Sequence, residues 1–260
     1  MIRYAVNSAL RGDMYKAEAD ALEAIELAPN LAEGHLALAK YLGFGSLEFI
    51  RANEEYGRAL ALAPGDLQVL RQYSQFAVLM GRAAAAIAVA RRAVLLDPLS
   101  HNTYAALGFA LYYGHQYNEA VAAYQQSVAL DRDAIEPYQR RGFAQYVLGN
   151  LASARDSCEV VATQWYSQVC LAIVYDKLGR HTDAREMLDK VAASRGDLGA
   201  YLYADINAQW GNTAEALKWL ETALRLRDPG LAWLKADPLL DPLRKEPRYL
   251  AIERALKFPP

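Results

Sequence analysis

The chain is predicted to be an all-α, right-handed superhelical solenoid of about seven helix-turn-helix repeats, closed by a helical C-terminal segment. Three observations predict it. A glycine is followed five places later by an alanine at Gly12/Ala17, Gly81/Ala86, Gly149/Ala154, Gly179/Ala184 and Gly211/Ala216, with His115/Ala120 as a variant. The aligned alanines at 17, 52, 86, 120, 154, 184 and 216 are spaced by 35, 34, 34, 34, 30 and 32 residues, a modal period of 34. Seven places after each alanine stands another small or β-branched residue, namely Ala24, Ala59, Ala93, Ser127, Val161, Val191 and Ala223, two turns along one helical face. Units of this length bury their apolar faces only by stacking on their neighbours. Residues 1–228 are therefore one elongated repeat array, and 229–260 a C-terminal helical capping segment.

Each element follows from the period. The first helix of a unit lies upstream of the glycine, as in HNTYAALGFALYYGHQ, where Tyr104, Leu107, Gly108 and Leu111 share a face. The second lies downstream, as in NEAVAAYQQSVALD, with Ala120, Tyr124 and Ser127 facing back. Pro29, Pro64 and Pro98 stop helices between units. The first unit starts at Met1 without its opening half turn, a truncation boundary or a weak cap. The second carries two extra turn residues in GFGSLEF, so its connection should bulge. The fifth is four residues short after Ala154, with Trp165 expected to fill the gap. Asn212 and Glu215 form an expected capping box in the last unit. The tail repeats an acid followed by proline at Asp228/Pro229, Asp237/Pro238, Asp241/Pro242 and Glu246/Pro247. Acid at the N-cap with proline at the first helical position starts short turns and then a final helix near 247–257. Trp233, Leu234, Leu239, Leu243, Tyr249 and Ile252 should cover the exposed face of the last repeat.

Tyr104, Leu107, Gly108, Leu111, Ala120, Tyr124 and Ser127, with Arg132 a weaker match, resemble the tetratricopeptide repeat pattern. Tyr73, Gly81, Ala86, Ala90, Ala93 and Pro98 give a second good copy. The resemblance covers about residues 1–228 and implies a non-enzymatic protein-binding or peptide-binding scaffold. The stretch WLKADPLLDPLRKEPRY resembles the ending of bacterial proteins that join such repeats to an effector, including adenylate cyclase-like proteins and winged-helix regulators. It implies a signalling or transcription-regulatory parent, although no cyclase or DNA-binding domain fits within these residues; a reducing cytoplasmic setting is expected separately, from the lack of a signal-peptide core and of a membrane-spanning run.

Composition excludes several alternatives. The 28 basic and 30 acidic residues give a formal charge of -2, so no basic field draws in nucleic acid. No apolar run approaches the ~20 residues that span a bilayer, and the N-terminus lacks the unbroken apolar core of a signal peptide. Cys158 and Cys170 lie in apolar helical patterns and are expected as two buried thiols in a reducing compartment. His35, His101, His115 and His181 are scattered over four units and are expected on surfaces or in turns. No catalytic constellation, metal site or cofactor motif emerges.

In tetratricopeptide repeats the inner groove is lined by the exposed face of each first helix. The register places Arg71, Gln72, Gln75 and Leu79 there from the third unit, and Asn102, Phe109, Tyr112 and Tyr113 from the fourth. The fifth adds Glu136, Gln139, Arg140, Phe143 and Tyr146. Rings beside amides and arginines can hold a peptide, though Phe109, Phe143 and Tyr112 equally fit packing between adjacent helices. Arg71, Gln75 and Arg140 approximate three places of the clamp that grips chaperone C-termini, whereas Ala106 and Glu136 replace two others, which argues against a chaperone co-factor. Two alternatives stand beside peptide binding: a homodimer formed through an exposed edge at the first unit, and regulation of a cyclase-like domain outside this chain.

Overall fold

The computed structural model describes residues 16–259 and is helical throughout, without strands among the described residues. Helix α1 is seen over 16–27, so Gly12 and the first helix of the first unit lie outside the described residues. The following hairpins are α2 (Ala32–Lys40) with α3 (Phe49–Leu62), α4 (Leu67–Leu79) with α5 (Ala83–Leu96), and α6 (His101–Tyr113) with α7 (Tyr117–Leu130). They continue with α8 (Ile135–Val147) and α9 (Leu151–Glu159), α10 (Trp165–Lys177) and α11 (His181–Arg195), and α12 (Ala200–Gln209) and α13 (Thr213–Leu226). These are repeats two to seven. Each hairpin packs internally and on the next. First helices also touch first helices, α4 on α6, α6 on α8, α8 on α10 and α10 on α12, which makes them the inner wall of a superhelical solenoid.

The recurring glycine has a backbone cause. Gly81, Gly149, Gly179 and Gly211 have φ of 85°, 80°, 75° and 81°, the left-handed conformation that ends a helix without a Cβ penalty. The next residue's N–H reaches back to the carbonyl five before it, as in Arg82 to Ala77 at 2.9 Å and Asn150 to Gln145 at 2.9 Å. His115 holds the same place at φ 61° and keeps that bond from Gln116 to Leu111 at 2.8 Å. The alanine five places on is buried against the first helix at Ala86, Ala120, Ala154, Ala184 and Ala216.

Both predicted breaks are present. In repeat two, α2 runs into a π-helical turn over Tyr41–Gly45, and Leu47 adopts φ 58° before α3 begins. In repeat five, α9 is cut to nine residues. The gap beside it is not filled by Trp165, which is 37% exposed. Cys158 and Cys170 fill it as a fully buried disulfide with a Cα–Cα distance of 6.4 Å, which corrects the expectation of two thiols. The cause is local: α9 stops early, so α10 starts close to it, and Gly142 leaves room for the sulfurs. A Cβ at Gly142 would lie 2.1 Å from Cys158 Sγ.

Two smaller expectations also fail. Asn212 makes no side-chain cap bond, and its Nδ2 donates instead to Asn207 Oδ1 at 3.3 Å. His35 is buried, with Nδ1 2.6 Å from Glu55 Oε2 and Nε2 3.0 Å from the Pro29 carbonyl, and ties repeat two together.

The tail begins as foreseen. Asp228 and Asp237 accept from the N–H groups of Gly230 and Leu239, at 2.8 and 3.0 Å, and start two 3₁₀ turns, Pro229–Trp233 and Pro238–Leu243. Helix α14 (Pro247–Leu256) follows. The turns pack on α12 and α13, and α14 on α13. The tail then reaches further than a cap, back to repeats two and three. Trp233 meets Phe44 with ring centroids 5.6 Å apart, Phe258 stacks on Phe49 at 4.6 Å, and Lys235 Nζ donates to the Met80 carbonyl at 3.4 Å.

Candidate functional site

The tail crosses the concave side, so much of the inner wall already has an occupant. Tyr146 donates its hydroxyl to Gln209 Oε1 at 2.6 Å, and the Gln209 amide donates to the Leu239 carbonyl. Arg244 braces the tail by donating to the carbonyls of Lys235 and Asp237, at 2.9 and 3.1 Å. Tyr249 adds a hydroxyl bond to the Leu234 carbonyl at 2.6 Å.

What the tail leaves open is a cavity of about 650 Å³ between the starts of α8, α10 and α12, the end of α13 and the first tail turn. Its wall carries Tyr113, Arg140, Trp165, Tyr166, Tyr201 and Trp233, with Asp205 and Asp237 among them. This size, with mainly apolar walls and a few convergent polar groups, suits a ligand site.

Arg140 is already engaged by its own chain. It donates to Glu136 Oε1 at 3.1 Å and to the hydroxyls of Tyr113 and Tyr166 at 3.2 and 3.3 Å, and its guanidinium lies 4.8 Å from the Phe109 ring and 5.1 Å from that of Tyr166. A guanidinium so paired has little left for an incoming carboxylate. Arg195 lies over the Trp165 ring at 4.7 Å.

The acids differ sharply in their partners. Asp228 accepts from the N–H groups of Tyr201 and Gly230, and Asp237 from Leu239 N–H and the Tyr201 hydroxyl at 3.2 Å. Burial still pushes the Asp237 carboxyl up to about 6. Asp205 is 3% exposed, and its Oδ1 has no hydrogen-bond partner among the described residues. Burial first, then the nearby Asp237 and Asp228, holds its carboxyl well above the usual carboxylate range. Burial likewise raises the hydroxyls of Tyr113 and Tyr201 well above a free phenol.

Of the groove residues expected from register, Tyr113, Glu136, Gln139 and Arg140 line this cavity. Phe109, Phe143, Tyr112 and Tyr113 are buried between helices, and of these Tyr113 also borders the cavity. Arg71, Gln72 and Gln75 stand half-buried on α4, and Asn102 is exposed at the start of α6; none of the four borders the cavity. Register mapping missed Trp165, Tyr201, Asp205 and Trp233. One signal for Asp205 was present: it stands six places before Gly211, where Phe109 and Phe143 stand six places before His115 and Gly149.

Among the described residues no group of three His, Cys, Asp or Glu is placed to hold a metal, and no helix is long and apolar enough to cross a membrane.

With this geometry in place, comparison with known proteins identifies the repeat. The tetratricopeptide repeat family model matches residues 200–228. Small glutamine-rich tetratricopeptide repeat-containing protein 2 of Mycosarcoma maydis is 32% identical over 100 residues, which is 38% of this chain and 27% of that protein. The chain therefore spans about a quarter of that relative's length. Among solved structures, the APC/C hetero-tetramer Cut9-Hcn1 is similar with a TM-score of 0.63 at 16% identity, over 87% of this chain and 46% of that one. A thermophilic tetratricopeptide protein of Thermus thermophilus gives 0.60 at 19% identity over 72% and 99%. PilW, described as a type IV pilus biogenesis factor, gives 0.60 at 19% over 74% and 90%. At these identities the likeness establishes the fold, a tetratricopeptide-type superhelix.

Proposed function

We propose that this tetratricopeptide-type superhelix is a protein-interaction scaffold that holds a peptide segment in the cavity between its tail and the first helices of repeats five to seven. The observation that carries the reading is that the tail, while crossing the inner wall, leaves open an aromatic-lined space of about 650 Å³. Its walls are packed helices, so a guest meets preformed geometry and little rearrangement is needed.

This moves the site from where register mapping put it. Arg71, Gln72, Gln75 and Asn102 do not border it, while Arg140 and Tyr113 are wall elements whose bonds hold α6, α8 and α10 together. Substituting either perturbs the fold along with binding. A cleaner test blocks the cavity from its half-buried edge at Leu202. Peptides selected by display on the whole chain, and counter-selected on Leu202→Arg, are expected to bind the parent and to lose at least about tenfold in affinity on the variant. Peptides that bind both proteins equally place the site elsewhere.

That the scaffold serves a bacterial signalling or transcription-regulatory protein is supported by the resemblance of WLKADPLLDPLRKEPRY alone. A cytoplasmic setting rests on the lack of a signal-peptide core and of a membrane-spanning run and draws nothing from free thiols, since Cys158 and Cys170 are joined; disulfides of this kind persist in oxidising compartments.

A further inference from the structure

Resting on the peptide-binding reading, the cavity's charges select among guests. Glu136 accepts from Arg140, Asp228 from two backbone N–H groups, and Asp237 from a backbone N–H and a hydroxyl. Asp205 differs: it is nine-tenths buried and more, borders the cavity, and leaves Oδ1 without a partner among the described residues. An acid there is no requirement of the fold, because Phe109 and Phe143 fill the same register place in repeats four and five. Burying a carboxyl without a partner is costly, and the cost is offset when a cation arrives. The Arg140 guanidinium is spent on its own chain, and that of Arg195, which also borders the cavity, lies over the Trp165 ring, so neither is hydrogen-bonded to Asp205 Oδ1. Aromatic faces add attraction for a cation in a desolvated site, and Tyr166, Tyr201 and Trp233 border the same space.

We propose that the cavity takes up a cationic side chain of the bound peptide, a lysine ammonium or an arginine guanidinium, with the Asp205 carboxylate as its counter-charge and the surrounding rings as its walls. The raised Asp205 carboxyl agrees with this, since an empty cavity favours its neutral form and an incoming cation restores the charge.

The test titrates the full chain with blocked alanine pentapeptides carrying lysine, acetyl-lysine, norleucine or glutamate at the centre, and with n-butylammonium, followed by calorimetry and by tryptophan fluorescence. The lysine peptide is expected to bind at least about tenfold more tightly than the norleucine and acetyl-lysine peptides, and the glutamate peptide to bind weakest. Asp205→Asn, with helicity and melting checked, is expected to erase the lysine preference. Equal binding of lysine and norleucine peptides, tighter binding of glutamate, or a lysine preference that survives in Asp205→Asn overturns the proposal. A match between n-butylammonium and the lysine peptide overturns the peptide as the source of the cation. If Asp205→Asn fails to fold, the acetyl-lysine comparison on the parent protein decides. Norleucine binding that Leu202→Arg abolishes would leave the peptide site standing while charge selection falls. If no pentapeptide binds and display selects none, both readings fall.

Discussion

Repeats four and five have first helices of equal length and a glycine at the same register place, yet they are filled by different chemistry. In repeat four Tyr124 packs against Gly108, where a Cβ would come within 2.6 Å of the ring. In repeat five the equivalent of Tyr124 is Cys158, and the space beside Gly142 is taken by the bond to Cys170. One hairpin is held by a ring and the other by a covalent link to the next first helix. The difference follows chain length: α7 runs fourteen residues and α9 nine, and a shortened second helix offers less surface to bury. The turns differ as well, with His115 in repeat four holding a left-handed place that Gly149 occupies in repeat five.

Removing the two fillers tests this contrast. Tyr124 is fully buried, and Tyr124→Ala should cost about 3–5 kcal/mol through the cavity it opens. Hydrogen exchange should rise first in α6 and α7, because a solenoid opens by repeats. Exchange that rises evenly over the array would count against a local role. Cys158→Ala should cost about 2–4 kcal/mol, with loosening centred on α9 and α10. The native chain should show no thiol reactive to a colorimetric reagent until it is unfolded and reduced. Two reactive thiols in the unreduced, unfolded chain would refute the link.

The smallest effect concerns the turn. His115→Gly removes a side chain from the left-handed region and should stabilise repeat four by about 1 kcal/mol. That gain is reduced by the loss of the 2.6 Å contact between His115 Nδ1 and the Tyr117 hydroxyl. The converse, Gly149→His in repeat five, should cost a similar amount. Chemical denaturation of the two variants beside the parent measures both, and equal signs would show that the turn residue is not what separates the repeats.

Much of the fold was legible because its causes are local. A left-handed turn asks for glycine, a close helix contact asks for alanine, and both recur with the unit, so Gly81 through Gly211 and Ala86 through Ala216 announced the hairpins. Asp228 and Asp237 before their prolines announced the tail's turns. The site was less legible. Register put Phe109, Phe143 and Tyr112 on the inner wall but could not say that neighbouring helices would bury them. It also could not see that Lys235 would reach Met80, or Trp233 reach Phe44, across most of the chain.

The sequence by itself determined the repeat, its handed turns and its two breaks, because each depends on residues within one period. Only the tertiary structure decided what fills the breaks and which part of the inner wall stays open. The shortened fifth repeat brings Cys158 to Cys170, and the turn in repeat two presents Phe44 to the returning tail. Superhelical curvature brings distant repeats to one side, so the tail can lie along the inner wall and leave Asp205 facing what remains open. Curvature accumulates from small rotations between many packed units, and no single period of the sequence contains it.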